Sequence, residues 1–252
     1  MKSTKTGICI KGLLSLIMAL VIYAPVMASY EDALKLYQEK DYAGSLKILA
    51  EELNPAEDMT PDSPNYNLRY LAAHCHWKLG NTQSVIAHFQ KCMQIKKEAV
   101  EPYIDLSFFA YDIKDYGYSE TIASRGLKVS NEPLLYYLLG KIALIRKNYW
   151  RAKALFEKVN SLNPELYISY NALGITLMNL KKYSEANTAF SVAIALRPQS
   201  PEILNNLARS YEVLGNYQKA KEYIEKAKSF SSDNSVIQDN LLNINTHQQD
   251  IQ

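Results

Sequence analysis

In the C-terminal half of the chain the apolar positions repeat with one register. Segments beginning at Pro133, Tyr167 and Pro201 superpose at a spacing of 34 residues. In the first, Tyr136, Leu139, Gly140 and Ala143 are followed by Ala152, Phe156, Val159 and Pro164. In the second, Tyr170, Leu173, Gly174 and Leu177 precede Ala186, Phe190, Ala193 and Pro198; the third has Leu204, Leu207, Ala208 and Tyr211, then Ala220, Ile224 and Ala227. Each half shows the i, i+3, i+4, i+7 spacing of a helix with one buried stripe, so each repeat predicts a pair of antiparallel helices. Asn148-Tyr149, Lys182-Tyr183 and Asn216-Tyr217 interrupt the pattern at equivalent points, and Pro164, Pro198 and Pro201 mark the breaks between repeats. Gly140, Gly174 and Ala208 are expected to face Ala152, Ala186 and Ala220 across each hairpin, because small side chains let two helix axes approach closely.

Upstream the same frame persists in weaker form. A repeat from Tyr66 has Ala73, Gly80-Asn81, Phe89 and Cys92 at the matching points, and one from Val100 has Tyr103, Leu106, Tyr116 and Gly126 once it is shortened by one residue. Tyr30 to Leu53 fits a degenerate first copy through Ala33, Tyr42, Ser45 and Leu49. This pattern resembles the tetratricopeptide repeat, and the register holds through three copies over about 100 residues. The resemblance implies an all-α superhelical solenoid of about six antiparallel helix pairs. The expected boundaries are a degenerate first repeat at 29–54, a loop at 55–65 with Pro55, Pro61 and Pro64, then repeats at 66–99, 100–132 (degenerate), 133–166, 167–200 and 201–234. Residues 235–252 carry Val236, Ile237, Leu241, Leu242 and Ile244 on an amphipathic helix whose polar outer side suits a terminal cap.

The first 28 residues belong to a different class. Lys2, Lys5 and Lys11 precede the apolar run Gly12 to Tyr23, which is followed by Ala24-Pro25-Val26-Met27-Ala28. This is the pattern of a secretory signal peptide with cleavage after Ala28, predicting export to the periplasm; an uncleaved segment would instead anchor the chain in the inner membrane. The apolar run is short of the roughly 20 residues that span a bilayer comfortably. Cleavage removes three lysines and no acid, so the formal charge of +2 becomes −1, from 25 basic and 26 acidic residues. Such a balance predicts no nucleic-acid partner, because phosphate binding requires a concentrated basic surface.

No glycine-rich phosphate loop, paired-histidine zinc helix or nucleophile elbow is present, so the sequence predicts no catalysis and no cofactor. The best metal candidate is His74-Cys75-His76 with His88 and Cys92. Successive helical residues point about 100° apart, so three consecutive ligands do not converge on one ion. Cys75 and Cys92 are expected near opposite ends of an antiparallel hairpin, about 9 Å apart along the axis, which favours two small buried residues over a disulfide.

The resemblance also implies a surface. In tetratricopeptide proteins the first helix of each repeat lines a concave groove that holds an extended peptide or a partner's helix. Those positions here are Tyr70, His74 and Trp77; Ile104, Phe108 and Tyr111; Tyr137, Lys141 and Leu144; Asn171, Ile175 and Met178; and Asn205, Arg209 and Glu212. The groove is thus expected to be aromatic and apolar at its N-terminal end and polar at the other. The paired lysine and asparagine with which chaperone-binding members hold a C-terminal carboxylate is absent, and Asn206 with Arg209 does not rebuild it. The expected function is a non-catalytic scaffold or assembly factor of the bacterial cell envelope, for a machine such as a pilus, secretion system or flagellar structure. The alternative is an accessory or ligand-binding subunit of an uptake system.

Overall fold

The structure, a computed structural model, describes residues 28–54, 56 and 63–249. The expected signal peptide through residue 27 and most of the proline-containing stretch, residues 55 and 57–62, lie outside the described residues. Among the described residues there is no strand. Helix α1 covers 28–38. It is followed by α2 (Tyr42–Glu52), α3 (Asn65–Lys78), α4 (Thr82–Ile95), α5 (Glu101–Asp112) and α6 (Tyr116–Val129). Then come α7 (Pro133–Ile145), α8 (Tyr149–Leu162), α9 (Tyr167–Asn179), α10 (Tyr183–Leu196), α11 (Pro201–Val213), α12 (Tyr217–Phe230) and α13 (Ser235–Gln249). The chain divides into two compact units at Ser130 and Asn131, the first holding α1–α6 and the second α7–α13. In each unit the odd-numbered helix of a pair (A) packs antiparallel on the even-numbered one (B).

The six A/B turns share one construction. A residue with positive φ ends each A helix: Lys40, Gly80, Lys114, Lys147, Lys181 or Gly215, at 58° to 76°. The next residue donates its N–H to the carbonyl five positions back, as in Asn148 to Ala143 at 2.8 Å and Asn216 to Tyr211 at 2.9 Å. This closure consumes carbonyls that the helix end leaves without partners. The same residue then starts the B helix. The side chains of Asp41, Asp115, Asn148 and Asn216 accept from the N–H three residues on, satisfying an orphan donor. One residue thus closes a helix and caps the next, so hairpin geometry is fixed locally. Four of the six turns use lysine where glycine fits without steric cost.

Across five of the six hairpins a small residue meets a large one 16 positions later. A Cβ on Gly140 would lie 2.6 Å from the ring of Phe156, and Gly174 stands in the same relation to Phe190. The phenylalanine rings, not Ala152 and Ala186, therefore occupy the space that the glycines leave. Ala208 with Ile224, Ala73 with Phe89 and Ala33 with Leu49 repeat the pairing inside the buried clusters. The fully buried Phe89, Phe156 and Phe190 each contribute about 2–3 kcal/mol of apolar burial. The 100–132 repeat departs from this: its pair is Ser107 and Ala123, both buried, and the Ser119 hydroxyl donates to the Ser107 carbonyl at 2.8 Å.

Two further features set the ends of the array. Buried Asn65, the first residue of α3, donates its side-chain amide to the Asn54 carbonyl and accepts the Asn54 N–H at 3.3 Å. A side-chain amide thus mimics a ladder pair across the ends of the proline-containing stretch. At the other end, α13 buries Ile237 and Ile244 against α11 and α12 and exposes Gln238, Asp239, Asn243 and Thr246. Leu242 stands 34 residues after Ala208 and is exposed, with no further helix packed over it among the described residues.

Candidate partner-binding surface

In the N-terminal unit the side chains of α3 and α5 meet around one carboxylate. The Tyr70 hydroxyl donates to Asp105 Oδ2, and His74 Nε2 lies 3.1 Å from the same oxygen. Burial, followed by this hydrogen bond to Asp105, holds the Tyr70 phenol above its ordinary value, so it remains a donor. Tyr66, one helical turn earlier, is raised by burial and then by the charge of Glu101, while Lys96 Nζ sits 4.4 Å from its ring centroid. His74 stacks on Trp77 with centroids 6.0 Å apart, and Trp77 packs edge-on against the buried Phe109 at 5.3 Å. Tyr70 and His74 both pack against Phe89. Of the six expected groove positions here, Tyr70, His74 and Trp77 are thus gathered by the core and by Asp105. Ile104, Phe108 and Tyr111 line α5, half-buried, with Tyr111 also 5.4 Å from Tyr116.

In the C-terminal unit, Tyr137 packs on Phe156 at 5.9 Å, Lys141 Nζ lies 5.9 Å from the Tyr137 ring, and Leu144 flanks the core. Asn171 and Asn205 are 8% and 7% exposed. Asn171 donates to Glu202 Oε1 at 2.9 Å and accepts from Asn206 Nδ2 at 2.9 Å, while Asn205 accepts from Asn240 at 2.7 Å. These two expected groove residues therefore tie α9 to α11 and α11 to α13 instead of presenting their amides to solvent. Glu212 likewise meets His247 of α13 at 2.9 Å. Ile175, Met178 and Arg209 differ: with Asn179, Tyr183, Phe190, Asn206 and Val213 they line an open recess of about 400 Å³. No carboxylate lines it, and the Arg209 side chain is exposed.

Sequence reasoning missed Asp105, Glu202, Asn240 and the contact of His247 with Glu212. A signal was available. Tyr70–Asp105, Asn171–Asn206, Asn205–Asn240 and Glu212–His247 are all 35 residues apart, one repeat plus one residue. That spacing places two polar side chains on neighbouring A helices, offset by one position.

The histidines and cysteines disperse. Cys75 Sγ donates to Ser45 Oγ at 3.3 Å, the His76 ring stacks near His88 at 5.4 Å, and His74 turns to Asp105. Cys92 Sγ lies 3.6 Å from the Tyr66 carbonyl, and both thiols are buried. Burial raises the Cys75 thiol above its ordinary range. Among the described residues no three histidine, cysteine or acidic side chains are grouped to hold a metal ion.

Family models described as tetratricopeptide repeat match residues 66–98, 134–166 and 201–234. The chain carries tetratricopeptide repeats. Its tetratricopeptide array is similar over 123 residues, at 27% identity, to the peroxisomal targeting signal receptor of Kluyveromyces lactis, covering 47% of this chain and 22% of the receptor. The chain thus spans about a fifth of the length of that curated relative. Among solved structures it resembles Pseudomonas aeruginosa PilF with a TM-score of 0.69 and 16% identity over 84% of this chain and 94% of PilF. PilW, described as a widely conserved type IV pilus biogenesis factor, gives 0.67 and 15% over 84% and 96%. YrrB, described as a TPR protein with an unusual peptide-binding site, gives 0.56 and 19% over 69% and 88%. At these identities the likeness is one of fold, and the fold is the all-α tetratricopeptide solenoid.

Proposed function

We propose that this chain is a non-catalytic protein–protein interaction scaffold or assembly factor of the bacterial cell envelope, holding a peptide or partner helix against its A helices. The observation that carries this reading is the recess around Ile175, Met178 and Arg209. It offers apolar walls beside an arginine and amides, the mixture that seats an apolar side chain and hydrogen-bonds the backbone around it. In the N-terminal unit the half-buried Ile104, Phe108 and Tyr111 supply a second strip of the same character. The amides of Asn171 and Asn205 contribute indirectly, by holding α9, α11 and α13 in register. The envelope location rests on the lysine-led apolar segment ending at Ala28, together with the fold likeness to a type IV pilus biogenesis factor.

A photoreactive residue at Met178, and separately at Phe108, tests the surface in cells. A discrete adduct with one envelope protein is expected at Met178, and Ile175→Asp should abolish it while leaving the helical content unchanged. Absence of any adduct at both positions counts against the groove. N-terminal sequencing of the protein recovered from the periplasmic fraction should begin at Ser29; recovery with the cytosol would remove the envelope from the reading.

A further inference from the structure

The three A/B turns of the C-terminal unit lie along one edge of its helix stack, because their hairpins share one register and α7, α9 and α11 pack successively. Neighbouring turns touch: Lys182 Nζ, at the second turn, lies 5.6 Å from the ring of Trp150, just past the first. This edge exposes apolar side chains that a folded surface usually covers, with Trp150 at 64%, Val213 at 48%, Ile145 at 44% and Leu214 at 43%. The charge around them is one-sided. Segments 144–151, 178–185 and 212–219 hold six basic residues, Arg146, Lys147, Arg151, Lys181, Lys182 and Lys219, against Glu185 and Glu212. Both acids are already engaged, Glu185 by Lys182 at 2.7 Å and Glu212 by His247.

We propose that this edge docks the C-terminal unit on an anionic lipid surface. Two features favour lipid over a protein partner. Trp150, Ile145 and Leu214 stand at helix ends beside the turns, interleaved with lysines, and are not among the residues that line the recess. Lysine is depleted from the centres of protein interfaces, whereas at a bilayer surface an indole sits at headgroup depth while lysine stems lie along the apolar layer with their ammonium groups among phosphates. The turns are also rigid, since each is closed by a five-back hydrogen bond and Lys147 and Lys181 are fixed at positive φ. Little conformational freedom is then lost on docking. The surface borders the recess, sharing Val213 with it and, within segment 178–185, Met178, Asn179 and Tyr183.

The test uses the full chain carrying Trp77→Phe, which leaves Trp150 as its single indole. Vesicles of equimolar phosphatidylglycerol and phosphatidylcholine should shift Trp150 emission to the blue and shield it from acrylamide. Vesicles of phosphatidylcholine alone should not, and molar salt should reverse the shift. Lys147→Glu with Lys181→Glu should weaken the response at least about 25-fold, roughly five-fold for each charge removed, and Ile175→Asp should leave it unchanged. Should Trp77→Phe prove unstable, flotation of the double lysine variant with both tryptophans present gives the same comparison. Unaltered Trp150 emission on phosphatidylglycerol vesicles overturns the proposal, even where the chain floats with them. So does an equal shift on phosphatidylcholine alone, or a response to polyglutamate without one to vesicles, which would mark the edge as a site for an acidic protein.

Discussion

In the N-terminal unit one carboxylate, Asp105, joins α3 to α5 by accepting from Tyr70 and facing His74, whereas in the C-terminal unit amides join α9, α11 and α13 through Asn171, Asn206, Asn205 and Asn240. A carboxylate only accepts, so it must collect donors, and the residues that supply them here are aromatic. An amide donates and accepts at once, so Asn171 takes a hydrogen bond from Asn206 while giving one to Glu202. The same repeat geometry is therefore stitched by one carboxylate and aromatic rings in one unit and, in the other, by amides, with Glu202 and the Glu212–His247 pair beside them. The small-to-large packing across the hairpins is common to both, as Ala73 with Phe89 and Gly174 with Phe190 show.

The largest test of this comparison is to remove a shared core ring from each unit. Phe190→Ala should cost about 3–5 kcal/mol and Phe89→Ala a similar amount. Hydrogen exchange resolved by segment should show lost protection in residues 131–249 for the first and 63–130 for the second; equal loss throughout for either variant would break the division into two units. Next in size are the stitches themselves. Asp105→Leu strands the Tyr70 hydroxyl and should destabilise by about 1–3 kcal/mol in urea unfolding. Adding Tyr70→Phe to it should recover part of that loss, because a half-buried donor no longer lacks an acceptor. Asn171→Leu should cost a similar amount in the other unit, with no recovery from any tyrosine change.

Smaller and opposite in sign is the effect of the turns. Lys114→Gly and Lys147→Gly, one in each unit, should each stabilise by about 1 kcal/mol, since glycine adopts positive φ without the steric cost that lysine bears. A calorimetric melt that moved downward for both would contradict the construction described for all six turns. The smallest effect is on pH dependence. Tyr66 and Tyr70 have folded values raised above the ordinary tyrosine range, so the folded state keeps protons that the unfolded chain releases. Their contribution is complete below about pH 10 and is lost as pH rises toward the folded values. Melting temperature should therefore fall in alkali, less steeply in Tyr70→Phe, and exchange in the C-terminal unit should respond less.

The register of the helices was legible from period alone, since Leu139, Phe156, Leu173 and Phe190 recur at 34 and a buried stripe has no other way to repeat. The surface was legible only in part. Ile175, Met178 and Arg209 do line one recess, but Asn171 and Asn205, which looked equally outward by position, are turned into the seams between helices. Nothing in the amino-acid type separates them: an asparagine at a half-exposed position serves solvent or a neighbouring helix according to what stands one repeat and one residue later. Asp105 escaped notice for the same reason, as its partners lie 31 and 35 residues upstream.

By itself, then, the sequence determined the helical period, the placing of the turns and which positions are buried, because these depend on spacing within one repeat, which a local pattern records. The tertiary structure decided that rings and not alanines fill the space over Gly140 and Gly174, which asparagines become seams, and that lysines and apolar tips of three separate turns share one edge. Those outcomes depend on which side chains meet across helices of different repeats, and only folded coordinates fix such distances.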